Sequence, residues 1–189
     1  WESGYDNSPL WDKPMSNIEI ENNLQYKRKD NKIVKPDQRP LKIDYDRYVT
    51  IKNHLKEMNY DPKKLYSKSK FNVVDVGFNS IFLKALKDLV FLLDQINKRS
   101  SFLKKYILLN EKKLIKLFNS KKMTFKNKDL KNNTSIEIPS ITNFFMLFSD
   151  LKNKSVNKNL IKSLKKYCKN ENYLFPSINS RHKSFEEKR

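Results

Sequence analysis

Three features of the sequence predict an all-α fold, a small bundle of about five helices with an extended N-terminal arm and a C-terminal tail. Apolar residues recur at spacings of three and four from about residue 44 onward. Helix-start signals stand at Asn79-Ser80, Ser100-Ser101 and Pro139-Ser140. Four of the seven prolines (Pro9, Pro14, Pro36 and Pro40) fall in the first 43 residues, which show no helical period. The chain divides accordingly into an aromatic-bearing arm over residues 1–43, a basic helical domain over 44–170 and a tail over 171–189.

The arm nearly balances its charge, with eight basic against seven acidic residues, yet holds both tryptophans. Aromatic rings without a local core need a surface to cover. Trp1, Tyr5 and Trp11 are therefore read as partner-binding residues, Trp11 either as an interface anchor or as a clamp on the domain. Tyr48, Ile51 and Leu55 then mark one face of a first helix, which Asp61-Pro62 ends. A second helix runs from the Asn79-Ser80 cap to about Arg99, with Phe82, Leu86, Leu89, Leu93 and Ile96 facing inward. Its apolar stripe is wide, because Leu83, Val90 and Leu92 flank that face. Phe91, set among Lys84, Asp88 and Gln95, is the fourth candidate partner contact.

Ser100-Ser101 caps a third helix to about Phe118, paired with the second as an antiparallel hairpin. Residues 119–138 are polar and lysine-rich and read as a loop. Pro139-Ser140 opens a fourth helix, and a fifth runs from about Val156 to Lys169.

Composition sets the electrostatics: 34 lysines, 22 asparagines, six arginines, two glycines and a single alanine, Ala85. A/T-rich codons explain that bias. The net charge of +19 nevertheless attracts polyanions. It concentrates in residues 98–131, with twelve basic and two acidic side chains, and in 152–169, with seven lysines and no acid. In the fifth helix, Lys158, Lys162, Lys165 and Lys169 recur at four, three and four residues. That stripe extends roughly 16 Å at the usual helical rise, enough to follow several phosphates of an RNA backbone. Lys105, Lys112 and Lys116 form a weaker counterpart in the third helix. These seven lysines are the candidate RNA-binding residues.

Other chemistry finds little support. Gly77 alone cannot build a phosphate-cradling loop, and Cys168, His54 and His182 are too few and scattered for a zinc site. No cofactor and no metal are expected. The acids are mostly single and interleaved with lysines, so no catalytic residue is assigned and the chain is not read as an enzyme. A first residue other than Met suggests either a removed targeting segment or a sequence that gives only the ordered part of the chain.

The stretch Leu92 to Tyr106, LLDQINKRSSFLKKY, resembles the helix of the ribosomal small-subunit protein fifteen family, and a small basic helical core with long arms resembles organellar ribosomal proteins. The resemblance implies a structural RNA-binding subunit of a large ribonucleoprotein, an organellar ribosome above all, in a mitochondrion or plastid. Its partners would be ribosomal RNA and neighbouring proteins, with no small-molecule substrate and with membrane contact a less favoured reading. The alternative is an accessory or scaffold subunit of a protein-only complex, either a respiratory complex or a parasite-specific export or invasion complex in a secreted or vacuolar compartment.

Overall fold

The structure, a computed structural model, describes residues 5, 7–32, 35, 39–169, 175–183 and 185. Pro9 starts a 3-10 turn (Pro9–Trp11), where its missing N–H costs nothing, and Ser8 Oγ accepts the Leu10 N–H at 3.3 Å. Helix α1 (Asp12–Ser16) follows directly. This segment folds back on its own chain: Leu10, 1% exposed, packs with Ile136 and Ile178, and Met15 and Ile18 are buried too.

Helix α2 (Lys42–Glu57) is tied to that segment by its polar side. The Glu21 N–H donates to Oγ1 of fully buried Thr50 at 3.1 Å, and the Glu21 carboxylate accepts from the Asn53 amide at 3.0 Å. Asn59 and Tyr60 take left-handed backbone angles that end α2, and Pro62 then opens a further short helix, α3 (Pro62–Lys68). Asp61 caps it, accepting from the Lys63 and Lys64 N–H groups.

Helix α4 (Val76–Gln95) begins four residues earlier than the Asn79-Ser80 signal predicts, because Asp75 is the cap. Helix α5 (Ser101–Ile115) returns after a short link in which Asn97 is left-handed. Ser100 Oγ and Lys104 Nζ both donate to Asp94 across the link, which fixes the hairpin. Lys87 of α4 ties in the rest: its ammonium pairs with Glu111 of α5 and donates to the Ser149 and Asp150 carbonyls at 2.7 and 2.9 Å. The core around this hairpin includes Val76, Leu83, Ile107, Leu114, Phe144 and Leu160. The inward face of α4 is therefore the one bearing Leu83, with Leu86 and Val90 beside it. Leu89 and Ile96, predicted inward, are 43% and 63% exposed.

The all-α class does not hold. Residues 118–136, read as a loop beyond Phe118, form strands: β2 (Phe118–Asn119) pairs antiparallel with β3 (Thr124–Phe125), and β4 (Asn127–Asp129) with β5 (Thr134–Ile136). The strand β1 (Val73–Val74), just ahead of α4, adds to the far side of β4, giving the order β1-β4-β5. The reason for the miss is chemical. The inward positions of β4 are Asn127 and Asp129, 0% and 2% exposed, so the strand shows no apolar alternation. Asn127 Oδ1 accepts the Val76 N–H at 2.9 Å, and Asp129 accepts from the Asn132 backbone and amide across a turn where Asn133 is left-handed. Both side chains join strand to helix or close a hairpin, as buried polar groups must.

The predicted fourth helix is a 3-10 helix (Ile141–Leu147) capped by Ser140, while α6 (Lys154–Cys168) stands close to its expected place. Beyond α6 the chain runs back over the core: Ser140 and Ile178 form an isolated antiparallel bridge, the Tyr167 hydroxyl donates to the Pro176 carbonyl, and Ile178 is buried. A five-helix bundle with an extended arm and tail is thus replaced by six α-helices and short antiparallel strands among the described residues, with Leu10 and Ile178 packed on them.

Candidate functional site

A cavity of about 420 Å³ opens between α1, α2, α3 and the start of α4. Aromatic and aliphatic groups line most of it: Trp11 and Met15 from the first segment, Tyr48, Ile51 and Leu55 from one face of α2, Tyr66 from α3, and Phe71 and Phe78 near the start of α4. Trp11 is positioned from two directions. Its indole N–H donates to the Tyr5 carbonyl at 2.6 Å, and its ring meets Phe71 edge-on at 6.1 Å.

Asp75 is the acid in the wall. It is 8% exposed, and its Oδ1 accepts from the Gly77 N–H at 2.8 Å and the Phe78 N–H at 3.4 Å. Burial raises its pKa above the ordinary carboxyl value, against the lowering effect of those two donors. The Tyr5 phenol is also raised, first by burial and then by the charge of Asp75. The cavity amides are committed to the backbone: Asn72 donates to the Tyr66 carbonyl and Asn79 to the Asp75 carbonyl.

A charged cluster adjoins this cavity across an edge-on contact between Tyr48 and Tyr45, 5.8 Å between centroids. The Arg28 guanidinium lies 3.9 Å over the Tyr45 ring and binds Asp30 with two hydrogen bonds, 2.7 and 3.2 Å. Arg39 bridges the same groups, donating to Asp30 at 3.1 Å and to the Tyr45 hydroxyl at 3.1 Å. Arg28 above all, with Tyr45 and Arg39, holds the Asp30 carboxyl well below the usual carboxylate range. Beside them the Tyr26 hydroxyl donates to Asp46 at 2.6 Å, and burial with that bond pushes the phenol up to about 12. Asp46 is also paired with Lys42, and Asp44 with Arg47. Two guanidinium groups thus face one carboxylate, and the cluster keeps one net positive charge, held by planar forks suited to a carboxylate.

The residues singled out in the sequence fall elsewhere, with two exceptions. Trp11 and Tyr5 meet at the cavity as a clamp within the chain. Trp1 lies outside the described residues. Phe91 is 62% exposed on α4, away from the cavity. Lys105, Lys112 and Lys116 on or just after α5, and Lys158, Lys162, Lys165 and Lys169 on or just after α6, are all exposed, and none lines the cavity. Sequence reasoning missed Asp75, Arg28, Arg39 and Tyr45. One signal was available: in a chain with so few arginines, three of the six stand between residues 28 and 47.

Comparison with known proteins places the chain among glycoside hydrolases. Residues 1–189 match the family described as the mannosylglycerate hydrolase MGH1-like glycoside hydrolase domain. The mannosylglycerate hydrolase of Thermus thermophilus is 34% identical over 98% of this chain, and the glucosylglycerate hydrolase of Mycolicibacterium hassiacum 43% identical over 43% of it. The chain superposes on the crystal structure of the Thermus thermophilus GH63 mannosylglycerate hydrolase in complex with Tris and D-glycerate with a TM-score of 0.90 at 33% identity, over 98% of this chain. It spans 45% of the length of that curated relative and 19% of the Mycolicibacterium enzyme.

These matches overturn the ribosomal resemblance and the ribonucleoprotein function and partners it implied. An RNA-binding structural subunit, an assembly of RNA and neighbouring proteins as partners, and a chain that is no enzyme all give way to a family of hydrolases that act on small glycosides. The charge misled because lysine is this chain's default exposed residue, and a solvated helix face repeats at the same spacing as a phosphate-binding one. The chain belongs to the mannosylglycerate hydrolase MGH1-like glycoside hydrolase family.

Proposed function

We propose that this chain takes part in hydrolysing the glycosidic bond of a hexose joined to glycerate. The observation that carries this reading is the arginine–tyrosine cluster beside the aromatic cavity. A glycosylglycerate has an apolar-faced sugar ring at one end and a carboxylate at the other, and the chain offers both surfaces one tyrosine pair apart. The net positive charge of Arg28, Arg39 and Asp30 fits the carboxylate.

Cleavage of such a bond needs two carboxyl groups, one giving a proton to the leaving oxygen and one acting on the sugar or on water. Asp75 is poorly placed for either role, since its Oδ1 is committed to the start of α4. We assign the first test to Asp6, which follows Tyr5, the residue whose carbonyl the Trp11 indole holds. Glu2 is the other acid of that stretch. Both lie outside the described residues.

The experiment measures glycerate release from mannosylglycerate and glucosylglycerate beside hexose release from the matching glycerol glycosides, which lack the carboxylate. Arg39→Lys should lower kcat/KM for the acids about 10- to 100-fold, the worth of one charge-assisted bond, and leave the glycerol glycosides unchanged. Asp6→Asn should lower turnover of both substrates. Equal losses on both substrates from Arg39→Lys would remove the carboxylate role from the cluster.

A further inference from the structure

A second cavity, of about 260 Å³, lies between the β2–β3 hairpin, the link from β5 to the 3-10 helix and the returning tail, and it shares no lining residue with the first. Ile138 and Pro139 supply apolar wall, but the polar groups around them are unevenly matched. Lys122 is committed. Its ammonium meets the Glu137 carboxylate at 2.7 Å and, before any other neighbour, holds that carboxyl below its ordinary range. Those two charges cancel. Lys126 stands differently: its ammonium is 3.8 Å from the same carboxylate, beyond hydrogen-bonding reach, and donates to no other group among the described residues. Its side chain is nevertheless only 29% exposed.

Asn143 is the second donor without an acceptor. It is 2% exposed and forms part of the cavity wall. Its Oδ1 accepts the Ser140 N–H at 2.7 Å, which fixes the orientation of the amide. The amide nitrogen, with two hydrogens to give, then has no partner among the described residues. Buried amides are ordinarily paired, so an unmet amide beside an unmet ammonium marks a place for acceptor oxygens.

We propose that this cavity binds the oxyanion of a small acid, with Lys126 supplying the charge and Asn143 a fixed neutral donor. Charge and size select that class of ligand. Lys122, Lys126 and Glu137 together keep one net positive charge, which favours an anion over a cation or an uncharged sugar. The volume lies below the roughly 300–1,000 Å³ of a site for a drug-sized molecule, so the ligand has few heavy atoms. A small organic acid and inorganic phosphate share this chemistry. No step of it rests on the hydrolase reading.

The test titrates the isotope-labelled full chain with inorganic phosphate and, separately, with D-glycerate, at an ionic strength held constant with chloride, and follows the Asn143 side-chain amide by NMR. That amide should shift saturably with at least one of the two anions and not with chloride, and the anion that saturates it identifies the source of the oxygens. Lys126→Gln should weaken binding about 10-fold or more, the worth of a charge-assisted hydrogen bond. Glu137→Gln removes the competing carboxylate and should tighten binding about threefold, an effect that loss of structure does not mimic. Arg39→Lys, at the edge of the first cavity, should leave it unchanged. The proposal is overturned if neither anion shifts Asn143 saturably, or if Lys126→Gln binds as tightly as the parent. It is equally overturned if Glu137→Gln weakens binding, or if Arg39→Lys abolishes the shift.

Discussion

Replacing Asp75 by Ala removes the group that starts α4, and the cost can be worked from its bonds. Oδ1 accepts from the Gly77 N–H at 2.8 Å and less closely from the Phe78 N–H at 3.4 Å. Loss of a helix cap costs about 0.5–2 kcal/mol. The Gly77 N–H is buried and would be left without that acceptor, a desolvation penalty of about 1–3 kcal/mol that overlaps with the first. A total near 2 kcal/mol is expected, or roughly 4–8 °C in Tm for a chain of this size. Asn caps helices about as well as Asp, so Asp75→Asn should stay within about 0.5 kcal/mol of the parent. The pH dependence separates the two effects further. Burial raises the pKa of Asp75 in the folded chain, so its favourable contribution is present below the unfolded value of about 3.9 and is lost as pH rises through the folded value. Asp75→Asn should flatten stability across that window. Urea unfolding at several pH values measures all three outcomes. An alanine variant as stable as the parent, or an asparagine variant as damaged as the alanine one, would refute the cap as the residue's role.

Gly77→Ala should destabilise by about 1–3 kcal/mol in urea unfolding even though Ala favours helix, because the new Cβ would stand 2.8 Å from Cβ of Thr142, a side chain 1% exposed and unable to swing away. Asp30 titrates in the opposite sense to Asp75: its carboxyl is depressed chiefly by Arg28, so its contribution is present above the unfolded value of about 3.9 and is lost as pH falls through the folded one. Acid unfolding followed by tyrosine fluorescence should therefore be less steep in Asp30→Asn than in the parent.

Much of the helical framework was legible because its signals are local. The Ser100-Ser101 start of α5 and the stretch from Val156 to the end of α6 carry three-and-four spacing within a few turns, and both helices stand close to where that spacing places them. The strands were illegible for the converse reason. Asn127 and Asp129 point inward because they satisfy Val76 and the 129–132 turn, partners that only the folded chain supplies. The first segment hid its role in the same way: Leu10 joins a core built from residues more than a hundred positions away and Met15 lines the cavity with α2 and α3, so a stretch with no period of its own reads as an extended arm. The candidate site draws on Trp11, Arg28, Arg39, Tyr45, Tyr48 and Asp75, which lie on five separate stretches of chain, and no spacing rule joins them.

The two misjudged features, the wide stripe of α4 and the excess of lysine, have a common physical origin. The sequence alone assigns the α4 stripe, Phe91 apart, to one core and the regularly spaced lysines to RNA. The width of the α4 stripe was seen correctly, but a helix that is apolar on opposite sides exceeds what one core can bury, and the surplus side carries Leu89, Leu92 and Ile96 to the surface. The seven lysines on or just after α5 and α6 are likewise arranged with regularity, and all are exposed, where single surface charges stabilise little. On the proposed reading, the positive charge that meets a ligand is much smaller. It is the one net charge of Arg28, Arg39 and Asp30, fixed by hydrogen bonds and by the face of Tyr45. Under that proposal an oriented guanidinium beside an aromatic cavity would recognise a small anionic glycoside better than a long stripe of exposed ammonium groups would.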